Sequence, residues 1–344
     1  MNKFICTIAA LVMIAPTQVS AQKYVEASGK VKVVIVKDPY TDSRTGPELV
    51  KGPELLHAAG LDEALKQMNC ELVRISEVKM PPESEREYGE WNRASLTNKT
   101  LGKIIYANEQ SEHFVIGLLS GSKSLVGMLA GLQHLGPGRA PLKDTRGRDI
   151  TGLVRVGKAQ PLKVGLIWID SQAAFNTPDI TLEGDMDGMN VAVAAGMCNK
   201  TLRMQAGLDP PLSTKHIVMA GVRDTNPFEQ LNIDNSFIET ISVDEMRKLS
   251  ININQQMERL SKLTDVIYVH VDLSVLDPKE VPGHPQAAPS GPTSTELAAC
   301  LKVMFKHPKA AAIGIASMPD DPPEVTIQAA KHLIVGALEG VKSR

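Results

Sequence analysis

The stretch from Val164 to Pro178, VGLIWIDSQAAFNTP, starts as an apolar run and turns polar at Asp170. An uninterrupted apolar run is typical of a strand that is buried on both faces of a parallel sheet. The polar residues that follow it belong to a loop at the carboxyl end of the strand, which is the edge where open α/β sheets bind ligands. The stretch therefore predicts the type of sheet and the edge that carries the site.

Six further apolar runs repeat the pattern, and helical patterns lie between them. The runs are Val31–Val36, Leu72–Ile75, Phe114–Leu119, His216–Ala220, Val266–Asp272 and Ala310–Ile315. This alternation predicts a parallel sheet with helices on both faces.

Four segments between the runs receive simpler predictions. One helix is predicted from Pro53 to about Met68, and another across Val243–Leu260, because apolar residues recur at near-helical spacing. The Pro/Gly-rich segment Asp38–Gly52 is interpreted as a loop, and the polar, proline-bearing segment Met80–Asn98 as a surface segment.

The composition fits a folded α/β protein and argues against two classes of main partner. The chain has 344 residues, of which 43% are hydrophobic, and a formal net charge of −2. That length suffices for one large domain or two small ones. A near-neutral charge argues against nucleic acid or an anionic membrane as the main partner.

The N-terminus has the pattern of an export signal. Lys3 precedes the apolar run Phe4–Ala15, and Val19-Ser20-Ala21 is a small-residue cleavage pattern. The alternative, a membrane anchor, needs a longer apolar run. Residues 1–21 are therefore predicted to be a cleaved secretory signal and residues 22–344 a single α/β domain, so the mature protein would be secreted or periplasmic.

Three cysteines remain after the predicted cleavage: Cys70, Cys198 and Cys300. Their spacing matches no metal-ligand pattern, so they are either buried small hydrophobic residues or, in an oxidising compartment, partners for an intermolecular disulfide. Asn98 and Asn199 each begin a glycosylation sequon, and these sequons matter only if the cell glycosylates exported proteins.

Four motifs together resemble the arginase (ureohydrolase) family. They are Lys51-Gly52-Pro53 with Ala59-Gly60-Leu61, the Trp168–Pro178 loop, Gly221–Glu229, and Asp272–Pro278. They occur in the order and rough spacing of the family and span nearly all of the mature chain. The resemblance implies a three-layer α/β/α sandwich around an eight-stranded parallel sheet, and commonly a trimer or hexamer; a homotrimer is expected here.

In that family six side chains hold two manganese ions, and here four of the six positions have changed. The corresponding residues are Lys123, Asp170, Gln172, Ala174, Asp272 and Ser274. Only Asp170 and Asp272 still carry a ligand group of the family, and a protonated lysine has no lone pair to offer a metal. Two carboxylates are too few for a two-ion centre, so no metal cofactor is expected.

Other site positions have changed as well, and no catalytic residue is assigned. By the resemblance, Asp187 stands where the family has its proton-shuttling histidine. Asn176, Glu183 and Asn226 stand at ligand-binding positions, and a carboxylate at Glu183 would repel the carboxylate of an amino acid.

Lys123 and His270 can each be interpreted in two ways, one with a role in the site and one without. Lys123 could replace the charge of the metal by lying about 4 Å from Asp170 or Asp272, or the site could simply have drifted. His270 could complete a single-metal site with Asp170 and Asp272, since it lies two residues before Asp272 on the same face of a strand. The simpler interpretation is a hydrogen-bonded core histidine.

Two hypotheses for function remain. The first is a secreted pseudoenzyme of the arginase type that does not hydrolyse arginine and acts as a small-molecule binder or an assembly subunit. The second is a divergent ureohydrolase that uses manganese to hydrolyse a guanidino or amide compound. A small polar or cationic ligand is expected in the first case, because Glu183, Asp185 and Asp187 alternate along one loop; a solvated acidic loop is the alternative.

Overall fold

The computed structural model describes residues 24–26, 28–43, 46–109, 113–133, 139–143, 149–155 and 161–344. The predicted signal at residues 1–21 lies outside these ranges. Within them, no helix is long and apolar enough to cross a membrane.

An eight-stranded, fully parallel sheet forms the centre of the fold. Its strands, in chain order, are β1 (Val31–Asp38), β4 (Cys70–Glu77), β5 (Phe114–Leu119), β8 (Val164–Ile169), β9 (Ile217–Ala220), β10 (Glu239–Ile241), β11 (Val266–Asp272) and β12 (Ala310–Ala316). In space the order is β10-β9-β8-β11-β12-β5-β1-β4. Two hairpins lie apart from it: β2 (Tyr40–Ser43) with β3 (Gly46–Leu49), and β6 (Arg139–Lys143) with β7 (Asp149–Arg155).

The central strands are buried along their whole length, as their apolar sequences require. Every residue of β5, β8, β9, β11 and β12 is buried. The seven predicted strands are therefore confirmed. The eighth, β10, has three residues, two of them exposed, so its sequence carries no apolar run from which it could be predicted.

The helices form two groups that pack among themselves on the sheet. One group contains α4 (Glu90–Glu109), α5 (Leu125–Gln133), α6 (Asn190–Ala194) and α7 (Lys200–Ala206). The other contains α1 (Gly52–Ala58), α2 (Leu61–Gln67), α9 (Val243–Arg247), α10 (Ile251–Leu263), α11 (Ser294–Phe305) and α12 (Glu324–Lys342). The short α3 (Pro82–Glu85) and α8 (Pro227–Asp234) complete the set in the described ranges. The α/β sandwich that the resemblance implies is thus confirmed.

Two predicted helices are each broken into two by a residue with a left-handed backbone. Gly60, at φ 85°, separates α1 from α2, and Leu249, at φ 47°, separates α9 from α10. Ser250 then caps α10 by accepting a hydrogen bond from the backbone N–H of Asn252. Apolar spacing continues across each break, so periodicity alone cannot reveal it.

The interpretation of Met80–Asn98 as a surface segment is wrong from Glu90 onward, because α4 begins there and buries polar residues. Asn98 is 3% exposed. Its Nδ2 donates to the carbonyls of Ala94 and Lys123, at 2.8 and 2.9 Å, and its Oδ1 accepts from the N–H of Gly127 at 2.6 Å. The sequon at Asn98 is therefore part of the core. The prediction of a loop across Asp38–Gly52 is also wrong, since β2 and β3 pair there.

The three cysteines in the described part of the chain form no disulfide with one another. Cys70 and Cys300 are buried and Cys198 is half-buried. Burial raises the pKa of the Cys300 thiol to about 12. Cys70 and Cys300 are thus small core residues.

Candidate functional site

Four neighbouring strands deliver polar residues to one edge of the sheet. Strands β8, β11, β12 and β5 are adjacent and parallel, so their carboxyl ends meet. Asp170 follows β8, Asp272 ends β11, Ser317 follows β12, and Ser122 lies three residues beyond the end of β5. All four line one cavity of about 100 Å³.

Asp170 is held by hydrogen bonds from its own chain. Its Oδ1 accepts from Ser274 Oγ at 2.6 Å and from the backbone N–H of Gln172 at 3.1 Å. Ser274 Oγ in turn accepts from Ser171 Oγ at 3.1 Å. Ser274 stands where the family has a ligand carboxylate, and here it is a donor to the neighbouring aspartate.

Asp272 is held in the same way. Its Oδ2 accepts from Ser122 Oγ at 2.9 Å and from Ser317 Oγ, and its Oδ1 accepts from the backbone N–H of Ser274 at 3.0 Å. Three hydroxyl side chains, from Ser122, Ser274 and Ser317, therefore surround the two retained aspartates. Together with the backbone N–H of Gln172, these hydroxyls fill the lone pairs of Asp170 Oδ1 and Asp272 Oδ2, which are two of the four carboxylate oxygens of the pair.

Burial and a neighbouring carboxylate disfavour the charged form of Asp170. Asp170 is 5% exposed and Asp272 is 2% exposed. Burial, followed by the negative charge of Asp272, raises the pKa of Asp170 well above its ordinary value. Asp170 thus retains its proton to a higher pH than an exposed aspartate would.

His270 is a fully buried core histidine. Its ring stacks on Trp168, its cross-strand neighbour, with centroids 4.6 Å apart and planes within 7°. The Tyr268 hydroxyl lies 3.1 Å from Nδ1, and Ser122 Oγ lies 3.4 Å from Nε2. Burial lowers the pKa of His270 to about 4, so the ring is neutral at ordinary pH.

The single-metal hypothesis for His270 with Asp170 and Asp272 is contradicted by this geometry. Both ring nitrogens have partners in the chain. Across the described residues, no group of three or more His, Cys, Asp or Glu side chains is arranged to hold a metal ion. The residues present thus do not fit the manganese centre that the resemblance implies.

The prediction that Lys123 lies against Asp170 or Asp272 is wrong. Its Nζ lies 2.8 Å from Oε1 of Glu90 and 3.7 Å from Oδ2 of Asp187. The pKa of Lys123 is raised: burial works against its charge, but the carboxylates of Asp187 and Glu90 outweigh burial. The reason for the error is α4, whose first residue, Glu90, supplies a carboxylate that the sequence pattern had assigned to the surface.

Gln172 and Ala174 occupy the other two positions where the family has metal ligands. Gln172 Nε2 donates to Oδ2 of Asp224 at 3.3 Å. Ala174 is buried with a left-handed backbone, at φ 49°. An aspartate tolerates that backbone better than an alanine, so the loop keeps a conformation suited to the residue that the family has there.

Asn176 and Asn226 are brought together, as their shared role in the family implies. Asn226 Nδ2 donates to Asn176 Oδ1 at 2.7 Å, while Asn226 Oδ1 caps α8 by accepting from the N–H groups of Phe228 and Glu229. Glu229 is 4% exposed, and its Oε1 accepts from the N–H of Phe175 at 2.8 Å. Burial raises the pKa of Glu229.

A second, larger cavity of about 230 Å³ adjoins the first, and we call the two the outer and inner cavities. They share Gln172, Ala174, Asp187 and Gln286 as lining residues. Glu183 and Asp185 are exposed and line the outer cavity. Asp187 lies at the boundary, where burial, opposed by Lys123, raises its pKa to about 6.

Several residues of the site could not be assigned from the sequence. Ser122 and Ser317 each follow a predicted strand within a few residues, which is the one signal that could have singled them out. Glu90 begins a helix that lies between β4 and β5, away from the strand ends in sequence, whereas Glu229 belongs to the Gly221–Glu229 motif but carries no signal for its bond to Phe175. Their place in the site depends on packing between elements.

Comparison with known proteins agrees with the fold and the motifs. The family model described as "Arginase family" matches residues 150–338, more than half of the chain. The arginase of Bacillus caldovelox is 22% identical over 255 residues, which cover 73% of this chain and 78% of that protein. Human arginase-1 is 26% identical over 255 residues and 72% of each chain.

Solved structures give the same result for the fold. The arginase of Bacillus cereus superposes with a TM-score of 0.71 at 18% identity, over 89% of this chain and 98% of that one. The formimidoylglutamase of Bacillus subtilis gives a TM-score of 0.64 at 16% identity, over 90% and 87% of the two chains. The fold is that of these arginases, and the chain belongs to the arginase family.

Proposed function

We propose that this protein is a metal-free member of the arginase family that binds a small polar ligand and does not hydrolyse arginine. One observation carries the proposal: both retained aspartates accept hydrogen bonds from serine hydroxyls, and one of these serines, Ser274, stands where the resemblance places a ligand carboxylate. In the enzymes of the family, by contrast, the resemblance places carboxylates and imidazoles around two manganese ions.

The electrostatics of the inner cavity support the same conclusion. A bare pair of buried carboxylates would be costly without a cation. Here the serine donors lower that cost, and so does the raised pKa of Asp170, which favours its neutral form. These features support a carboxyl pair that needs no metal ion as its counter-charge.

The groups that would perform the reaction are also replaced. At the position of the family's proton-shuttling histidine stands Asp187, which pairs with Lys123. Ser317 has a left-handed backbone, at φ 64°, and its hydroxyl donates to Asp272. The two cavities remain, which favours a ligand-binding role over a purely structural one.

The test is release of urea from arginine after incubation with excess manganese. The arginase of Bacillus caldovelox serves as the positive control under the same conditions. We expect no urea above the rate without protein. Manganese-dependent urea release would refute the proposal and would favour the divergent hydrolase instead.

A further inference from the structure

Two buried nitrogen atoms near α7 have no hydrogen-bond partner in the chain. They are Nδ2 of Asn199 and Nε of Arg203, and among the described residues no other buried side-chain nitrogen or oxygen lacks a partner. A buried donor without a partner costs free energy, because it has lost its hydration and gained nothing in return. Such atoms therefore indicate a bound water or ion.

The two donors belong to neighbouring positions of the helix. The N–H of Arg203 donates to the carbonyl of Asn199 at 3.2 Å, so the two residues are one helical turn apart. Residues four positions apart lie on the same side of a helix. Asn199 precedes α7 with a left-handed backbone, at φ 48°, and its side chain caps no N–H group of the helix. Its amide is thus placed to act together with Arg203.

The charge of Arg203 is only partly balanced by the described part of the chain. The residue is 4% exposed. Its Nη1 donates to the carbonyl of Leu208 and lies 3.5 Å from Oδ1 of Asp209, whose side chain is 58% exposed. A guanidinium stays protonated at every ordinary pH, and a buried charge is costly unless it is paired. The Nε side of this guanidinium therefore favours a negative group.

Water and a small anion differ in the hydrogen bonds that they require. Both partnerless atoms are donors, and neither can accept a hydrogen bond. A water molecule between them would accept from both, but its own two hydrogens would need acceptors. An anion only accepts, and it also balances the guanidinium charge. Charge-assisted hydrogen bonds from arginine N–H groups to anions are among the strong ones, so the chemistry favours an anion.

We propose that Asn199 and Arg203 form a buried site for a small monovalent anion such as chloride. The site consists of the two side-chain donors and not of the backbone N–H groups at the start of α7. A bound anion would join α7 to the segment that follows it, because the same guanidinium contacts Leu208 and Asp209. None of these residues lines the inner or the outer cavity, so the inference is independent of the proposed function.

Bromide identifies the anion directly, because it can replace chloride and scatters X-rays anomalously. Crystals of the full chain are soaked in sodium bromide, and data are collected at the bromine absorption edge. We expect an anomalous peak within hydrogen-bond distance of both Arg203 Nε and Asn199 Nδ2. A water molecule at this position, with no anomalous peak, would overturn the inference.

Thermal unfolding measures the same binding in solution. An anion that binds only the folded state raises the melting temperature as its concentration rises. Sodium chloride is exchanged for sodium gluconate at constant ionic strength, so that screening of charges stays the same. We expect chloride to raise the melting temperature of the unchanged protein by about 2 °C or more.

The variant Asn199→Asp separates the anion from the fold. Aspartate tolerates a left-handed backbone as asparagine does, and its carboxylate can itself pair with Arg203. We expect this variant to be at least as stable as the unchanged protein in gluconate, and to lose the response to chloride. Gln255→Glu, at an exposed position of α10, makes the same change of charge and should keep the response.

Two results in solution would also overturn the inference. One is a melting temperature of the unchanged protein that does not differ between chloride and gluconate. The other is a chloride response of Asn199→Asp that equals the response of Gln255→Glu, since chloride would then act elsewhere on the protein.

Discussion

At the scale of single residues, the retained and the lost motif positions differ in what they contact. Arg223 is retained, and its guanidinium donates to four backbone carbonyls, those of Gly221, Val275, Ala288 and Pro289. Such residues hold loops in place and are needed with or without a metal. The changed positions, such as Lys123 and Ser274, are those where the resemblance places contacts to the ions themselves.

Asp170 gives a prediction on pH. Because its pKa is raised in the folded chain, the folded state binds its proton more tightly than the unfolded state does. The stability that this proton contributes is fully present below the ordinary pKa of about 4, and it is lost as pH rises toward the raised value. Asp170→Asn keeps an oxygen to accept from Ser274 but cannot ionise.

We therefore compare the free energies of unfolding of Asp170→Asn and the unchanged protein. The value of the variant minus that of the unchanged protein should increase from pH 5 to pH 8. Urea denaturation at several pH values measures it. Asp244→Asn, at an exposed carboxyl on α9, is the control and should show no such trend. Parallel curves for Asp170→Asn and the unchanged protein would mean that Asp170 is not protonated in the fold.

Ala174 gives a prediction on backbone strain. A non-glycine residue at φ 49° is strained, and glycine adopts this region freely. Ala174→Gly should raise the free energy of unfolding by about 0.5–1 kcal/mol. Ala173→Gly, at a buried neighbour without a positive φ, should lower it. Equal destabilisation of both variants would show that the backbone at Ala174 is not strained.

At the scale of elements, Lys123 joins α4 to the loop that carries Asp187. Its side chain is 11% exposed, and those of Glu90 and Asp187 are 19% and 38% exposed. Lys123→Met removes the cation and leaves Glu90 without this partner. Removal of one partner from a fully buried pair costs about 3–5 kcal/mol, and partial exposure reduces this to about 1–3 kcal/mol here.

Chemical denaturation at pH 7 measures this change, with Lys123→Arg as the charge-conserving variant. The double variant Lys123→Met with Glu90→Gln should recover part of the loss, because the unpaired carboxylate is then gone. An unchanged unfolding free energy for Lys123→Met would show that the ion pair does not stabilise the loop.

The sequence predicted those elements whose signal is local. A strand such as β11 is an unbroken apolar run, and all seven of its residues are buried. β10 and the start of α4 were missed, since their place depends on contacts with other elements. In the site, Asp170 and Asp272 were predicted correctly as strand-end residues, whereas the partner of Lys123 was not, because Glu90 is 33 residues away in sequence.

At the scale of the whole molecule, the fold of a metalloenzyme family surrounds a centre built from serine hydroxyls. The sheet order brings β8, β11, β12 and β5 together whatever their ends carry. The site edge can therefore change its chemistry while the sheet persists. Cleavage after Ala21 and trimeric assembly stay predictions, to be checked by N-terminal sequencing and light scattering.

The central claim is that this centre does not bind manganese, and elemental analysis tests it most directly. The protein is incubated with manganese, desalted, and its metal content is measured beside that of a variant with four restored ligands: Lys123→His, Gln172→His, Ala174→Asp and Ser274→Asp. Circular dichroism first checks that the variant is folded. We predict no stoichiometric manganese in the unchanged protein and more manganese in the folded variant. Near two manganese ions per unchanged chain would contradict the account.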